Sequence, residues 1–538
     1  LWDPSQWINS FDKICAVLLT ILILEGSRRA VGLTFPIMAA FFLFYAAFGQ
    51  IFPGLWAHKN FSFNQIFQNL YHTTNGIWGQ MVGLSAGMLA MFGIFGAILS
   101  GTGGAETFIK IGQRVAGRAT GGSGKISVIA SSLFGMISGS AIGNVVATGV
   151  FTIPSMQRAG YSKEWSAAIE AISSTGGQIL PPIMGAAAFI MAQLIGVNYL
   201  TIAKAALVPA VLYYLSCFLS IHLVSKRDQI CGEPDKPTIR VGEYLVILIP
   251  LGIFMFYLLR GYTVMMGAFW ATIGAVVTYA VWFLVSEKSV GKCAGAMGKV
   301  CFTTAIKGTN SIVEMCGILA GSQITISLVS LTGFGVKLSD LIVSLGEGNL
   351  FLCLICSMLV CIVLGMGLPT TAAYVLGASV LAPALIALGI NPLPAHLFVM
   401  YYACLSAITP PVCVAVFMAS GLAKAAWVRV ALISCMVSLP AFVVPFTFIY
   451  NPALMLDGSV FQVVFGIATA LAGVCLIDMC VTGYWKRPIG LPMRLLLLAC
   501  GILLLIPDVW ISLVGLAAGG VSFFAVQRDR GEGVTIKQ

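Results

Sequence analysis

The chain has 538 residues, of which 59% are hydrophobic and only 9% charged. That much apolar surface cannot be hidden in a water-soluble core, so the composition excludes a soluble protein and specifies an all-α polytopic membrane protein. The net charge of +10 would suit nucleic acid in a soluble chain. Here Lys and Arg fall in short stretches between apolar segments, where they act as topology signals, so the partners implied are a lipid bilayer and no nucleic acid.

Residues 13–25 and 33–52 form two apolar segments separated by Glu25, Arg28 and Arg29. The first is short for a span, which suggests entry partway through a longer protein, and no leader signal precedes it. A polar stretch from Pro53 to Asn75 leads to a span from about Ile77 to Gly101, then to a basic loop with Lys110, Arg114, Arg118 and Lys125. Residues 126–153 are apolar but interrupted by GMISGSAIGNVVATG, Gly135 to Gly149, whose small and hydroxyl residues suit a re-entrant hairpin. Residues 165–195 contain TGGQILPPI, Thr175 to Ile183. Pro181 and Pro182 remove backbone donors while Gly176 and Gly177 favour unwinding, so this helix should break. Broken backbone at membrane depth is tolerated where it is buried or lines a polar cavity, which makes it a candidate ion or substrate site. A span over 199–224 leads to a loop with Lys226, Arg227, Lys236 and Arg240, in which CGEPDKPTIR reads as a linker.

Spans over 243–259 and 262–285 and a basic loop with Lys288, Lys292, Lys299 and Lys307 connect to a second unit. It repeats the first: a span over 311–331, a hairpin over 350–388 carrying GMGLPTTAAY (Gly365 to Tyr374), a broken segment over 396–421 carrying SAITPPV (Ser406 to Val412), and a span over 427–450. Pro181 precedes Pro410 by 229 residues, and Gly160 precedes Gly389 by the same 229, so the repeat has no gap between them. Pro410 and Pro411 match Pro181 and Pro182. Segments over 460–482, 491–507 and 508–524 end in a polar tail. Five units result, at 1–75, 76–225, 226–306, 307–450 and 451–538.

If the basic loops at 26–32, 102–125, 226–240, 286–307 and 484–494 are cytoplasmic, the alternate loops at 53–75, 196–199, 332–349, 391–394 and 451–459 hold only Lys59 and Lys337. The positive-inside rule then gives a cytoplasmic C-terminus, hairpins entering from opposite sides, and inverted repeats. Inverted repeats of this kind bring four helix ends together near the midplane, where freed carbonyls can coordinate a small cation and free amides an anion. Hydroxyl and amide oxygens there are hard donors suited to sodium.

Among charged residues within apolar segments, Glu170 near the start of the broken segment leaves a proton or sodium role open, but with Glu314 and Asp478 it lies near a helix end and reads first as an interfacial group that snorkels or pairs with a loop lysine; His222 and His396 are also near helix ends. TGGSGK, Thr120 to Lys125, lacks the Gly and the Ser or Thr of a phosphate loop, and no HExxH is present, so the chain reads as no enzyme. Cys353 and Cys356 form a CxxC without a second ligand pair. The residues alone leave open a stand-alone sodium- or proton-coupled carboxylate or ion transporter.

Through SGSAIGN, GYSKEWSAAIEA, GGQILPP, GMGLPTTAAY and SAITPPV, residues 75–450 resemble the large membrane subunit of tripartite ATP-independent periplasmic (TRAP) transporters. The chain looks most like the fused form served by TAXI-type binding proteins, with residues 1–75 ending a small-subunit-like scaffold. The resemblance implies sodium-coupled, elevator-type uptake of a small organic acid across the inner membrane, delivered by an extracytoplasmic TAXI-type binding protein. It implies Na+ as coupling ion at Ser138, Gly139, Ser140, Asn144, Thr175, Gly176 and Gly177, with counterparts Gly365, Gly367, Thr370, Thr371, Ser406 and Thr409. Substrate would meet Asn144, Ser173, Ser174, Thr175, Thr371 and Thr409.

Overall fold

The computed structural model describes residues 9–232, 240–346, 349–506 and 508–528. In lipid a backbone group must find its partner within the protein, and helices answer that demand locally. Among the described residues every regular element is a helix, and one isolated bridge joins Tyr484 and Pro488.

Helices α1 (Ser10–Val31) and α2 (Thr34–Ala47) precede α3 (Phe63–His72), which Ser62 and Gln65 start with a reciprocal capping box. Helices α4 (Gln80–Leu84) and α5 (Ala90–Gly101) join through a π-helical turn into one span, Gln80–Gly101. The first unit continues with α6 (Gly104–Ala116), α7 (Gly122–Ser138), α8 (Ala141–Arg158), α9 (Lys163–Gly176), α10 (Gly185–Ile195) and α11 (Tyr199–Arg227). Three connecting helices follow: α12 (Val241–Leu259), α13 (Val264–Glu287) and α14 (Val290–Thr332). The second unit holds α15 (Phe334–Leu345), α16 (Leu350–Gly365), α17 (Thr370–Ala387), α18 (Pro392–Leu405), α19 (Val414–Ala423), α20 (Trp427–Val437) and α21 (Leu439–Tyr450). Helices α22 (Val460–Thr482), α23 (Leu491–Leu505) and α24 (Val509–Arg528) close the described chain. Seven of these helical runs are long and apolar enough to cross a membrane, or eight if α20 and α21, bent by 40°, form one span. The protein is therefore a polytopic membrane protein.

The 229-residue offset holds at the level of helix ends. Helix α8 (141–158) and α17 (370–387) keep it at both ends, as do α9 (163–176) and α18 (392–405). Pro154 within α8 and Pro383 within α17 keep it too. Burial follows the same division. Helices α9, α17 and α18 are buried along most of their length, whereas α12 and α13 leave Leu248, Phe256, Phe269 and Val277 exposed, as lipid-facing helices do.

Several boundaries differ from the sequence expectation. Residues 286–307 are largely the first half of the 43-residue α14, not a loop. Lysine lowers hydropathy without opposing helix, so Lys292, Lys299 and Lys307 hid a helix of roughly 65 Å, about twice the hydrocarbon thickness. The first segment, read as short, is the 22-residue α1. Within the basic stretch 102–125 lies α6, and within 332–349 lies α15. Most of the linker CGEPDKPTIR, with Lys236, and the tail 529–538 lie outside the described residues.

Candidate functional site

Helices α7 and α8 turn back on each other at Gly139, a tip whose φ of +63° suits glycine. Ser140 then caps α8, its Oγ accepting from Gly143 N at 3.1 Å. This tip sits against the break between α9 and α10. A Cβ on Gly177 would lie 2.6 Å from Gly135 Cα, and one on Gly185 would lie 2.6 Å from Gly139 Cα, so the two backbones touch with no room for a side chain. Asn144 is wholly buried and ties three helices, Nδ2 donating to Ser131 O (2.7 Å) and Ser174 O (3.3 Å).

The break itself runs from Gly177 to Met184 and contains a cis Pro181–Pro182 bond. Its freed carbonyls find tyrosines. Tyr199 Oη donates toward Pro182 O (2.8 Å) and Ile183 O (2.6 Å), while Tyr213 and Tyr214 Oη reach Ile172 O (2.8 Å) and Ser173 O (3.3 Å) at the end of α9. Orphan carbonyls of a helix end buried in apolar surroundings need such donors.

The second unit repeats the meeting of tip and break. Helices α16 and α17 turn through Met366–Pro369, with Gly367 at φ +75°, and the break between α18 and α19 carries the cis Pro410–Pro411 bond. A Cβ on Gly365 would lie 2.5 Å from Ser406 Oγ. The two units are joined by Gln178, a residue of the GGQ run that the sequence reading left out of the site. With its amide nitrogen facing them, Gln178 donates to Gly139 O (3.1 Å) and Thr370 Oγ1 (2.8 Å), and its oxygen accepts from Ala141 N (3.1 Å). One buried side chain thus holds the first tip, the first break and the start of α17.

Glu170 overturns the interfacial reading. It is 0% exposed and sits among hydroxyls: Oε1 accepts from Thr148 (2.5 Å), Ser131 (3.1 Å) and Ser174 (3.2 Å), and Oε2 from Ser127 (2.7 Å) and Thr152. The missed signal was in the pattern, since Ser127 with Ser131 and Thr148 with Thr152 are i,i+4 pairs that present hydroxyl stripes on two helices. Asp478 is likewise buried rather than snorkelling, with Oδ1 accepting from Ser216 (2.8 Å) and Ser220 (2.9 Å) across α11 and α22. Glu314 is exposed. His396 is buried, with Nδ1 2.9 Å from Tyr374 Oη, and His222 Nδ1 lies 3.1 Å from Lys125 Nζ.

The donor set at the tips fits a hard monovalent cation. Ser173, Thr175, Ser406 and Thr409 each give their hydroxyl proton to a carbonyl of their own helix segment, at 2.6 to 2.8 Å, which leaves oxygen lone pairs free. Ser138 Oγ is buried with no hydrogen-bond partner among the described residues and borders a void of about 20 Å³ shared with Ser100 and Gly96. Among the described residues no group of three or more His, Cys, Asp or Glu could hold a metal ion, so the set is one of neutral oxygens. Ser173, Ser174, Thr175 and Asn144 are fully enclosed, whereas Thr371 and Thr409 are half-buried.

The family model described as "Tripartite ATP-independent periplasmic transporter, DctM component" matches residues 18–463. The C4-dicarboxylate TRAP transporter large permease protein DctM of Vibrio cholerae is 25% identical over 404 residues, covering 70% of this chain and 84% of that protein. The 2,3-diketo-L-gulonate TRAP transporter large permease protein YiaN of Escherichia coli is 21% identical over 337 residues, 62% of this chain and 77% of its own length. The sialic acid TRAP transporter permease protein SiaT of Haemophilus influenzae is 30% identical over 147 residues, 27% of this chain and 23% of its own.

Proposed function

We propose, because this chain belongs to the DctM component family of tripartite ATP-independent periplasmic (TRAP) transporters, that it carries a small organic acid across the inner membrane by sodium-coupled secondary transport. It is a transport permease and not an enzyme. The observation that carries the sodium reading is the twice-built meeting of a hairpin tip with a broken helix, at Gly135–Gly177 and Gly365–Ser406, linked by Gln178. Neutral oxygens gathered where backbone leaves helical geometry suit an ion of low charge, bound and released in each cycle.

Sodium would lie among Ser138, Gly139, Ser140, Asn144 and Thr175–Gly177, with a second set at Gly365, Gly367, Thr370, Thr371, Ser406 and Thr409. Named relatives carry C4-dicarboxylate, sialic acid and 2,3-diketo-L-gulonate, all of which bear carboxylates, and this supports an organic acid here. The tips and broken helices would move as one elevator body against the remaining spans, and a TAXI-type binding protein would deliver substrate from outside. The Lys and Arg distribution supports a cytoplasmic C-terminus.

The test is uptake of a panel of labelled carboxylates into proteoliposomes, with and without a sodium gradient and with and without the binding protein. Uptake that requires both is expected. Uptake indifferent to sodium would overturn the cation assignment, and uptake without the binding protein would favour a stand-alone carrier.

A further inference from the structure

Glu170 is a carboxyl group that the sodium site does not use. Its five partners are hydroxyls, and among the described residues no charged side chain bonds to it. Lys125 of α7 is engaged with His222 Nδ1 of α11, and Arg158 of α8 is exposed. Helix α19 has no charged residue before its capping Lys424, and Arg429 of α20 is exposed. The phenols of Tyr213 and Tyr214 of α11 are committed to carbonyls of α9, and α18 presents no charged residue beyond His396, which is bonded to Tyr374. A buried ion without a counter-ion is costly, whereas a group that can take up a proton relieves the cost.

The hydroxyl geometry accommodates both forms. Thr148 Oγ1 stands 2.9 Å from Asn144 O as well as 2.5 Å from Glu170 Oε1, and Thr152 Oγ1 stands 3.0 Å from Thr148 O as well as beside Glu170 Oε2. Each hydroxyl has one proton to give. With the carboxylate ionised, both threonines donate to it. With the acid protonated, Thr152 turns its proton to Thr148 O and accepts from the acid, and no heavy atom has to move.

A route to the group is present. A cavity of about 300 Å³ is lined by Thr152 and Ser123 together with Glu106, Lys110, Gln113 and Arg158. Ser123 Oγ is buried and has no hydrogen-bond partner among the described residues. The second unit lacks all of this. At the 229 offset Glu170 becomes Val399, Thr148 becomes Gly377, Thr152 becomes Leu381 and Ser174 becomes Ala403. There Cys361 Sγ lies 3.3 Å from Val399 O, and the packing is apolar. The repeat shows that helix packing at this position needs no carboxyl group.

We propose that Glu170 is a proton-binding site, loaded and unloaded through Thr152 from the cavity between α6, α7 and α8. In loading, Thr152 Oγ1 passes its proton to Glu170 Oε2 while taking one from hydrated proton in the cavity. One O–H bond forms on the carboxylate, water is returned, and Thr152 ends unchanged. Unloading is the reverse. The site adds a proton to the sodium reading and does not depend on it.

Infrared difference spectroscopy of the full chain in lipid, titrated in pH and exchanged into deuterated water, tests this without transport. The expected result is a protonated-carboxyl C=O band that grows as pH falls, shifts on deuteration, is lost in Glu170→Gln and persists in Asp478→Asn. Thr152→Val should keep the band and slow its deuterium shift. A wild-type spectrum in which the band lost in Glu170→Gln does not change with pH would overturn the proposal, as would no difference between wild type and Glu170→Gln. Thermal unfolding checks that the variant folds. Should Glu170→Gln not fold, an unaltered deuterium shift in Thr152→Val would overturn the route and with it the site.

Discussion

Gly177→Ala adds a single methyl group at a residue whose backbone is already helical, with φ −57° and ψ −30°, so no conformational penalty accompanies it. What the methyl meets is decisive. Its carbon would stand 2.6 Å from Gly135 Cα, 2.8 Å from Gly135 C and 3.1 Å from Met136 N, all backbone atoms that cannot rotate away. Carbon pairs rest at about 3.5–4.0 Å, so hairpin and broken helix must part by roughly 1 Å. Overpacking of this kind costs about 1–3 kcal/mol. Against the docked arrangement of tip and break, that corresponds to about 5- to 150-fold in an equilibrium such as sodium affinity. Gly143→Ala is the control, since its Cβ finds nothing nearer than Ser140 at 3.4 Å. Thermal unfolding of the purified protein and the sodium concentration for half-maximal uptake in proteoliposomes are the readouts. Gly177→Ala is expected to unfold earlier and to need more sodium, with Gly143→Ala near wild type. If the two variants behave alike, the contact between tip and break is not what shapes the site.

Tyr199→Phe removes the donor that Pro182 O and Ile183 O share, and a thermal destabilisation of about 1–3 kcal/mol is expected for carbonyls left unpaired; an unchanged unfolding midpoint would mean that they have other donors. Gln178→Ala and Thr370→Val, combined in a double-mutant cycle, should couple by about 0.5–3 kcal/mol, and strict additivity would remove the bridge between the units. Asn144→Ala should weaken sodium dependence more than Thr409→Val, because Asn144 also holds Ser131 O and Ser174 O, whereas the Thr409 hydroxyl bonds Leu405 O within its own helix segment. Equal sodium dependence of wild type and both variants, with insertion intact, would displace the proposed ligands.

The sequence by itself determined that the chain is an all-helical membrane protein, because composition alone leaves its apolar surface no other solvent. It also determined the 229-residue repeat and its interrupted helices, since proline and glycine act on the backbone of their own segment and their effect needs no neighbour to be read. Helix boundaries were legible only where hydropathy changed with them, which is why the lysine-bearing half of α14 passed for a loop. What a polar side chain touches was not legible at all. Glu170 and Asp478 looked like charges near helix ends, and only packing put the hydroxyls of α7 and α8 around the one and the serines of α11 against the other. Gln178 stood inside a quoted motif, yet its partners Gly139 and Thr370 lie on two different hairpins. Such contacts join segments far apart in the chain, so they exist only once tertiary structure has brought the tips and breaks together. The tertiary structure therefore decided which oxygens face one another, because proximity between distant segments is set by packing of whole helices and not by any local preference.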